Sequence, residues 1–585
     1  MNKNGKPRRR GLSLMAAVGL TAFTTWTGQP FGETSPPSSA GPGAALCVTR
    51  PGDAAAPPST VAEWAEGARL FDGIGDFHRP VTTASKEAQA WFDQGMRFLW
   101  AFNHDESTRS FAKATRIDPD CAMCWWGVAL TVGPNYNLPM MAEPRAKVAW
   151  EASRRAVLNA PKASPVERAL IEALAHRYKG TEALDPPAEA PLLADYAKAM
   201  ERVAARFPND PDVRVIAAEA MMTANAWKLW TLDGKPAPGT LKIVAQLEAA
   251  LAVRPMHPGA NHYYIHAIEA SPMPEKAVPA ARRLDGLMPA AGHLVHMPAH
   301  IWQRVGQYEK AAEANRRAIA ADEAYYKLAK PLDYYAMYTA HNMQFLAFSA
   351  AMEGRGAEAV RAMRATRSVV SDDMMLAMPG VDWSQGELYQ TLIRFGRWDE
   401  MLAEPVPNPK LRALTVGFYY ARGIALAAKG RAEEARPLLT ELERMGQSMA
   451  PDDGAGLNSA KDVVALAVIV LKARLAAAAG QDADAIQLLR EAAAKEDQVA
   501  YDEPADWFIP VRHQLGAALL KSGQAKAAET VYREDLRRHP ANGWSLFGLT
   551  QALKAQGRIR DAAGSQAQFD KAWAHADITL SSSAF

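Results

Sequence analysis

The 585-residue chain has almost no net charge: +2, from 66 basic and 64 acidic residues. Even that excess is local. Lys3, Lys6, Arg8, Arg9 and Arg10 lie within the first 28 residues with no acidic residue among them, and the rest of the chain nets −3. A nucleic-acid surface needs a basic patch or stripe, so the charge pattern excludes that class of partner. The apolar run from Leu12 to about Trp26 is too short for a comfortable transmembrane helix. The chemical signatures that would name a reaction are missing too. There is no HExxH motif, Gly-rich phosphate loop, nucleophile elbow or calcium loop. Strand-like alternation is absent, which leaves helix as the only regular structure. Histidine is scarce, 13 in all, yet six fall between His262 and His341.

Residues 1–28 have the parts of a secretory signal: a basic stretch, an apolar run and a polar stretch. Arg9-Arg10 permits a twin-arginine route. No clear small-x-small cleavage site follows, so an uncleaved N-terminal anchor stays open. The expectation is an exported protein, periplasmic or extracellular, with no transmembrane domain beyond this segment. Residues 29–75, rich in Pro, Gly, Ser and Ala, read as a disordered linker. Cys47 within it stands behind Leu46 and far from the apolar run, which argues against lipid attachment.

From residue 76 onward Ala, Leu, Glu, Arg and Met dominate with helical periodicity. Internal repeats decide the fold. Trp91, Gln94, Gly95, Phe98, Phe111, Ala114 and Pro119 recur with the spacing of positions 4, 7, 8, 11, 24, 27 and 32 of a 34-residue unit. Leu515-Gly516, Gly523, Ala528, Tyr532 and Pro540 repeat it, and Leu549, Leu553, Gly557 and Ala562 begin another unit. Small residues let two antiparallel helices approach, large ones fill the seam, and proline stops the second helix. This pattern resembles the tetratricopeptide-repeat (TPR) superfamily over most of the chain. The resemblance implies an all-α, right-handed superhelix, a solenoid of tandem TPR-like helix pairs, in which neighbours stack because one repeat cannot bury its apolar face alone. We divide it into a 76–405 array, a 406–578 array and a 579–585 tail. Trp230 to Gly239, the prolines 405, 407 and 409, and residues 445–460 read as loops that decorate it.

The six histidines are spaced as stripes. His262 and His266 are i,i+4, and His293, His296 and His300 are i, i+3, i+7, so each set shares one helix face. Pro255 and Pro289 lie 34 apart, as do Ala277 and Ala311, and this frame puts the stripes on successive first helices. The TPR resemblance implies that those positions, with Glu269 and His341, face the concave groove. Imidazoles from neighbouring helices could then converge on one ion at about 2.0–2.1 Å. The expectation is a transition-metal site, Zn, Cu, Fe or Ni, made from His262, His266, His293, His296 and His300, with Glu269 and His341 at its edge. A metal-free groove whose histidines hydrogen-bond a peptide or stack on Tyr263, Tyr264, Tyr335 and Tyr338 is the plainer alternative. Met256, Met297 and Met343 would suit copper, or simply fill core.

Cys121-Ala-Met-Cys124 opens the helix after Pro119, and in an exported chain a disulfide is the leading reading. Redox, metal-binding and free-thiol roles stay open. Trp125 follows Cys124 where covalent haem attachment needs histidine. Gly133 to Asn137 and Phe102 to Asp105 read as tight helix connections, and Glu503 to Trp507 as a ligand clamp or a proline-tryptophan staple. Cys-Ala-Met-Cys-Trp, Gly-Pro-Asn and His-Met-Pro-x-His together resemble hallmarks of exported bacterial TPR proteins, a likeness that supplies no catalytic residue. Three functions remain: a binding protein with a metal in its groove and a protein or peptide partner, a metal-dependent enzyme using the same histidines with Glu269 as ligand or base, and a metal-free scaffold.

Overall fold

The computed structural model describes residues 57–585 except Asp333, Pro379 and Asp452. The signal segment, residues 29–56 of the linker and Cys47 lie outside the described residues. The fold is an all-α solenoid of tandem helix pairs. The first full pair is Lys86–Trp100 with His104–Ile117, and the last is Gly543–Ala555 with Ile559–Ala572. The only strands among the described residues are the two-residue segments Gly454–Ala455 and Asn458–Ser459. No helix among those residues is long and apolar enough to cross a membrane.

The repeat residues act as their sizes suggest. Phe111 is fully buried between two glycines, Gly95 of its own pair and Gly127 of the next. A Cβ on Gly95 would stand 2.6 Å from the Phe111 ring, and one on Gly127 2.4 Å. The same arrangement returns at the other end, where Tyr532 lies between Gly516 and Gly548 with Cβ positions 2.3 and 2.1 Å from its ring. Prolines open several helices, among them Pro165–Ala175, Pro211–Thr223 and Pro258–Ile268. At the first turn the missing N–H has no partner to lose. Asp210 caps one of these by accepting from Asp212 and Val213 N–H groups.

Two apolar cores run through the stack, one spanning residues 61–345 and the other 308–580. They divide at the helices Tyr308–Leu328 and Tyr335–Met352, which give one face to each core. Met401 and Leu411, which flank the proline-rich loop at 405–409, are both buried in the second core.

Each half curls back on itself. Asn137 donates to the Tyr338 hydroxyl, and Tyr325 donates to Glu106 across 219 residues of sequence. Trp544 Nε1 donates to the Ala351 carbonyl, and the Asp577 carboxylate accepts from the first N–H groups of helix Gly356–Val369.

The linker expectation for 29–75 also fails at its C-terminal end. Thr60 caps a helix at Val61–Glu66 with a full capping box, and Trp64 is completely buried. The composition hid a few large apolar side chains that find partners far along the chain. Residues 67–77 then run as a strap over the first array. Gln94 donates to Arg69 O and accepts from Phe71 N, and Ala290 N donates to Gly73 O. The 579–585 tail is likewise packed: Ser583 bonds Tyr532 and His513, and Phe585 meets the edge of Trp544. Cys121 and Cys124 are joined by a disulfide at a helix start.

Candidate metal centre

His262 and His266 project from helix Pro258–Ile268, and Glu269 follows at its end. His293 and His296 stand on Gly292–His296 and His300 on Pro298–Arg304. Pro298 breaks what would be one helix at Met297. His341 comes from Tyr335–Met352. The stripes therefore do face each other, but they form two sets where one was expected. The ligand atoms of His262, His266 and His293 lie within 4.8 Å of one another, and so do those of His296, His300 and His341. A third group, His266, Glu269 and Glu503, joins the two.

The outer nitrogens decide what the inner ones can do. His262 Nδ1 is 2.7 Å from the Trp100 carbonyl oxygen. His266 Nδ1 is 2.8 Å from Glu269 Oε1, and His296 Nδ1 is 2.6 Å from Asn315 Oδ1. Asn315 is oriented by its own Nδ2, which donates to Ala311 O. Facing atoms that only accept, each Nδ1 carries the ring proton, and each Nε2 keeps a bare lone pair. These lone pairs point at other rings. His262 Nε2 is 3.2 Å from His293 Nε2, and His296 Nε2 is 2.6 Å from His300 Nε2. Two lone pairs repel at such distances, so a cation must stand between them, either a proton or a metal ion. Tetrahedral ligands at about 2.0–2.1 Å from zinc lie ~3.3–3.4 Å apart, close to the His262–His293 separation.

His300 holds that cation in the metal-free protein. Burial alone would push its pKa down, but Glu503 and Glu269 outweigh it and raise it to about 10. Their Oε2 atoms lie 2.6 and 2.7 Å from His300 Nδ1, in ion-pair contact out of hydrogen-bond alignment. The other rings stay neutral. Burial lowers His266 and His341 to about 3, and His262, His293 and His296 well below the ordinary value. Five neutral imidazoles, two carboxyl groups and one exchangeable proton are a donor set that could hold a transition metal in place of that proton.

The site is enclosed. His262, His266, His293, His296 and His300 are all buried, and His341 is half-buried. The histidines expected to line a groove are buried, covered by aromatic side chains. Phe102 stacks on His266 and His293, Tyr136 stacks on Trp227 beside His266, and Phe345 lies 4.6–4.8 Å from His296, His300 and His341. Phe102 and Trp227 have φ of 54° and 60°, a left-handed region that bulky residues avoid. Backbone strain of this kind collects at functional sites.

Glu269, expected at the edge, sits between the two sets. Glu503, read from sequence only as part of a clamp or staple, is the second carboxylate and comes from the other half of the molecule. Arg304 helps tie that loop down: its guanidinium donates to Glu269 O and lies over the Tyr501 ring. Phe102, Tyr136 and Asn315 were missed. The only hint was that two of them sit in short turns where glycine or a polar residue is usual. Tyr263 and Tyr338 do pack on His262 and His293, whereas Tyr264 bonds Glu248 and Tyr335 bonds Asp322. Met256 is exposed, and Met297 and Met343 are core residues.

No family model matches the chain, and no curated protein matches it. Among solved structures it is similar to the human IFIT1 dimer with m7Gppp-AAAA, at 12% identity and a TM-score of 0.33, covering 88% of this chain and 99% of that one. It is also similar to the APC/C hetero-tetramer Cut9-Hcn1, at 11% identity and a TM-score of 0.29, covering 87% and 80%. Likenesses this distant transfer no ligand and no partner.

Proposed function

We propose that this is an exported helical-repeat protein that binds a transition metal in its enclosed histidine site and uses the loaded site to bind a ligand or partner. The observation that carries the reading is a pair of bare Nε2 lone pairs, on His262 and His296, whose other ring nitrogens are engaged by Trp100 O and Asn315 Oδ1, each aimed at the Nε2 of a second histidine, His293 and His300. Outer hydrogen bonds of this kind orient metal-ligating histidines and set their basicity. The carboxylates of Glu269 and Glu503 balance one divalent ion. A second ion in the other trihistidine set would need further anions.

Zinc, copper, iron and nickel all suit imidazole, and Zn, Cu and Fe are the first to test. Elemental analysis of protein purified without chelator should find at least one such ion per chain. Removal by chelator should lower the thermal midpoint, and metal should restore it. In the double variant His296→Ala, His300→Ala the restoration should shrink or vanish. A metal-free chain whose midpoint ignores added metal would sink the proposal. A second reading, a metal-dependent enzyme at the same histidines, is favoured by a cavity that reaches His293. It requires an activity that chelation abolishes.

A further inference from the structure

The two histidine triads have nearly the same shape. Ring centroids in the first are 5.0 Å apart for His262–His266, 5.0 Å for His262–His293 and 6.2 Å for His266–His293. In the second they are 4.5 Å apart for His296–His300, 4.8 Å for His296–His341 and 5.7 Å for His300–His341. A metal–imidazole bond of about 2.0 Å sets an ion ~3.2 Å from each ring centroid. The point in the plane of the first three centroids that is equidistant from them lies ~3.2 Å from each, which fits an ion in flat three-coordination. The same point in the second triad lies ~2.9 Å from each, so its ion stands slightly off the plane. Within each triad the ligand atoms already lie within 4.8 Å of one another.

Neither site is offered an obvious fourth ligand. Phe102 stacks on His266 and His293, Phe345 lies against all three rings of the second triad, and a phenyl ring brings no donor. The carboxylates stand behind the rings. Glu269 Oε1 meets His266 Nδ1, and Glu269 Oε2 and Glu503 Oε2 meet His300 Nδ1, on the side away from Nε2. They supply two negative charges without occupying a coordination position. Of the next charges out, Arg304 is engaged by the Glu269 and Ser271 carbonyl oxygens, and Asp502 by the Leu457 and Glu503 N–H groups. These two are opposite in sign.

We propose that the site holds two copper(I) ions, one on His262, His266 and His293 and the other on His296, His300 and His341. The proposal rests on the metal reading given above and names its ion and its number. Imidazole suits copper, and copper(I) is satisfied by three neutral nitrogen donors. Two such ions carry two positive charges, which Glu269 and Glu503 match once the proton on His300 has left. Two zinc ions would leave two positive charges uncompensated in the interior, so zinc stops at one per chain.

The test uses the full chain under anaerobic conditions with ascorbate as reductant. Copper(I) is titrated against a chromogenic copper(I) chelator, and zinc in parallel against a zinc indicator. The chain should take two copper(I) ions but one zinc, and X-ray absorption at the copper edge should show three nitrogen neighbours and no sulfur. A chain that takes up neither ion overturns the metal reading itself. A single copper(I) per chain, two zinc ions held as firmly as two copper(I), or sulfur beside the copper would overturn this proposal and leave the metal reading standing. His341→Phe and, independently, His262→Gln should each lose one copper(I) and keep the other. Loss of both ions, or of neither, in a variant with the parent's circular dichroism would overturn the assignment to two triads, and the parent titration decides the number of ions whether or not a variant folds.

Discussion

The glycines on either side of Phe111 make one substitution a sharp test of the packing. Gly127→Ala adds a single methyl group in the helix Ala122–Val132. Helix propensity alone would favour it by about 1 kcal/mol. Packing opposes it. The new Cβ would stand 2.4 Å from the Phe111 ring, where ordinary contacts begin at 3.4 Å, and Gly95 blocks retreat on the other side with its own Cβ position at 2.6 Å. The ring has no exposed edge toward which to slide. Overpacking of this kind costs about 1–3 kcal/mol, so the net expectation is destabilisation of up to ~2 kcal/mol.

Gly564 is the control, an exposed glycine in helix Ile559–Ala572 with nothing within 4 Å of its Cβ position. There the same change should stabilise by about 0.5–1 kcal/mol. Urea unfolding followed by tryptophan fluorescence measures both, and Phe111→Leu in the Gly127→Ala background should recover part of the loss. If Gly127→Ala is at least as stable as the parent, the account of how these repeats fit together is wrong.

Other expectations concern charge, coordination and cross-linking. Asp535 accepts from His513 Nε2, Asn542 Nδ2 and Ser545 Oγ, and although burial pushes its carboxyl up, contact with His513 and these hydrogen bonds hold it well below the usual range. A depressed carboxyl contributes stability above its unfolded pKa of about 3.9 and loses it as pH falls below that value. Asp535→Asn should therefore cost about 3 kcal/mol at pH 7 and measurably less at pH 3; a gap of constant size across that range would contradict the assignment. Asn315→Leu strips His296 Nδ1 of its acceptor and should weaken zinc binding about 10- to 100-fold in a chelator competition, and an unchanged affinity would remove Asn315 from the site. Thiol titration in denaturant without reductant should find at most Cys47 free. Removing the Cys121–Cys124 pair should cost no more than ~2 kcal/mol, since it closes a very short loop.

The helix pairs were readable because their determinants are local: Gly95, Phe98, Phe111 and Pro119 lie within one repeat and act there. The histidine stripes were readable for the same reason, since spacing on a helix fixes a shared face. Their division into two sets was not, because it depends on the break at Pro298 and on Glu503, more than 200 residues away. Nor could composition show that Trp64 and Ile74 lie buried under a strap, as their partners are distant in sequence. The loops that bury the histidines follow no repeat rule. Phe102 and Trp227 show this best: both are large side chains placed where local backbone preference argues against them.

The origin of Glu503 in the second half gives the site an order of completion. During synthesis all six histidines leave the ribosome well before the carboxylate that meets His300. Until the loop around Glu503 docks on Arg304 and Tyr501 joins it, His300 has only Glu269 as a counter-charge. A chain cut short before that loop would carry every imidazole and still present an electrically unfinished site. On the metal reading proposed above, tight retention would report that the chain has been made and folded through Glu503, and a truncation ending before Glu503 should hold zinc more weakly than the intact protein.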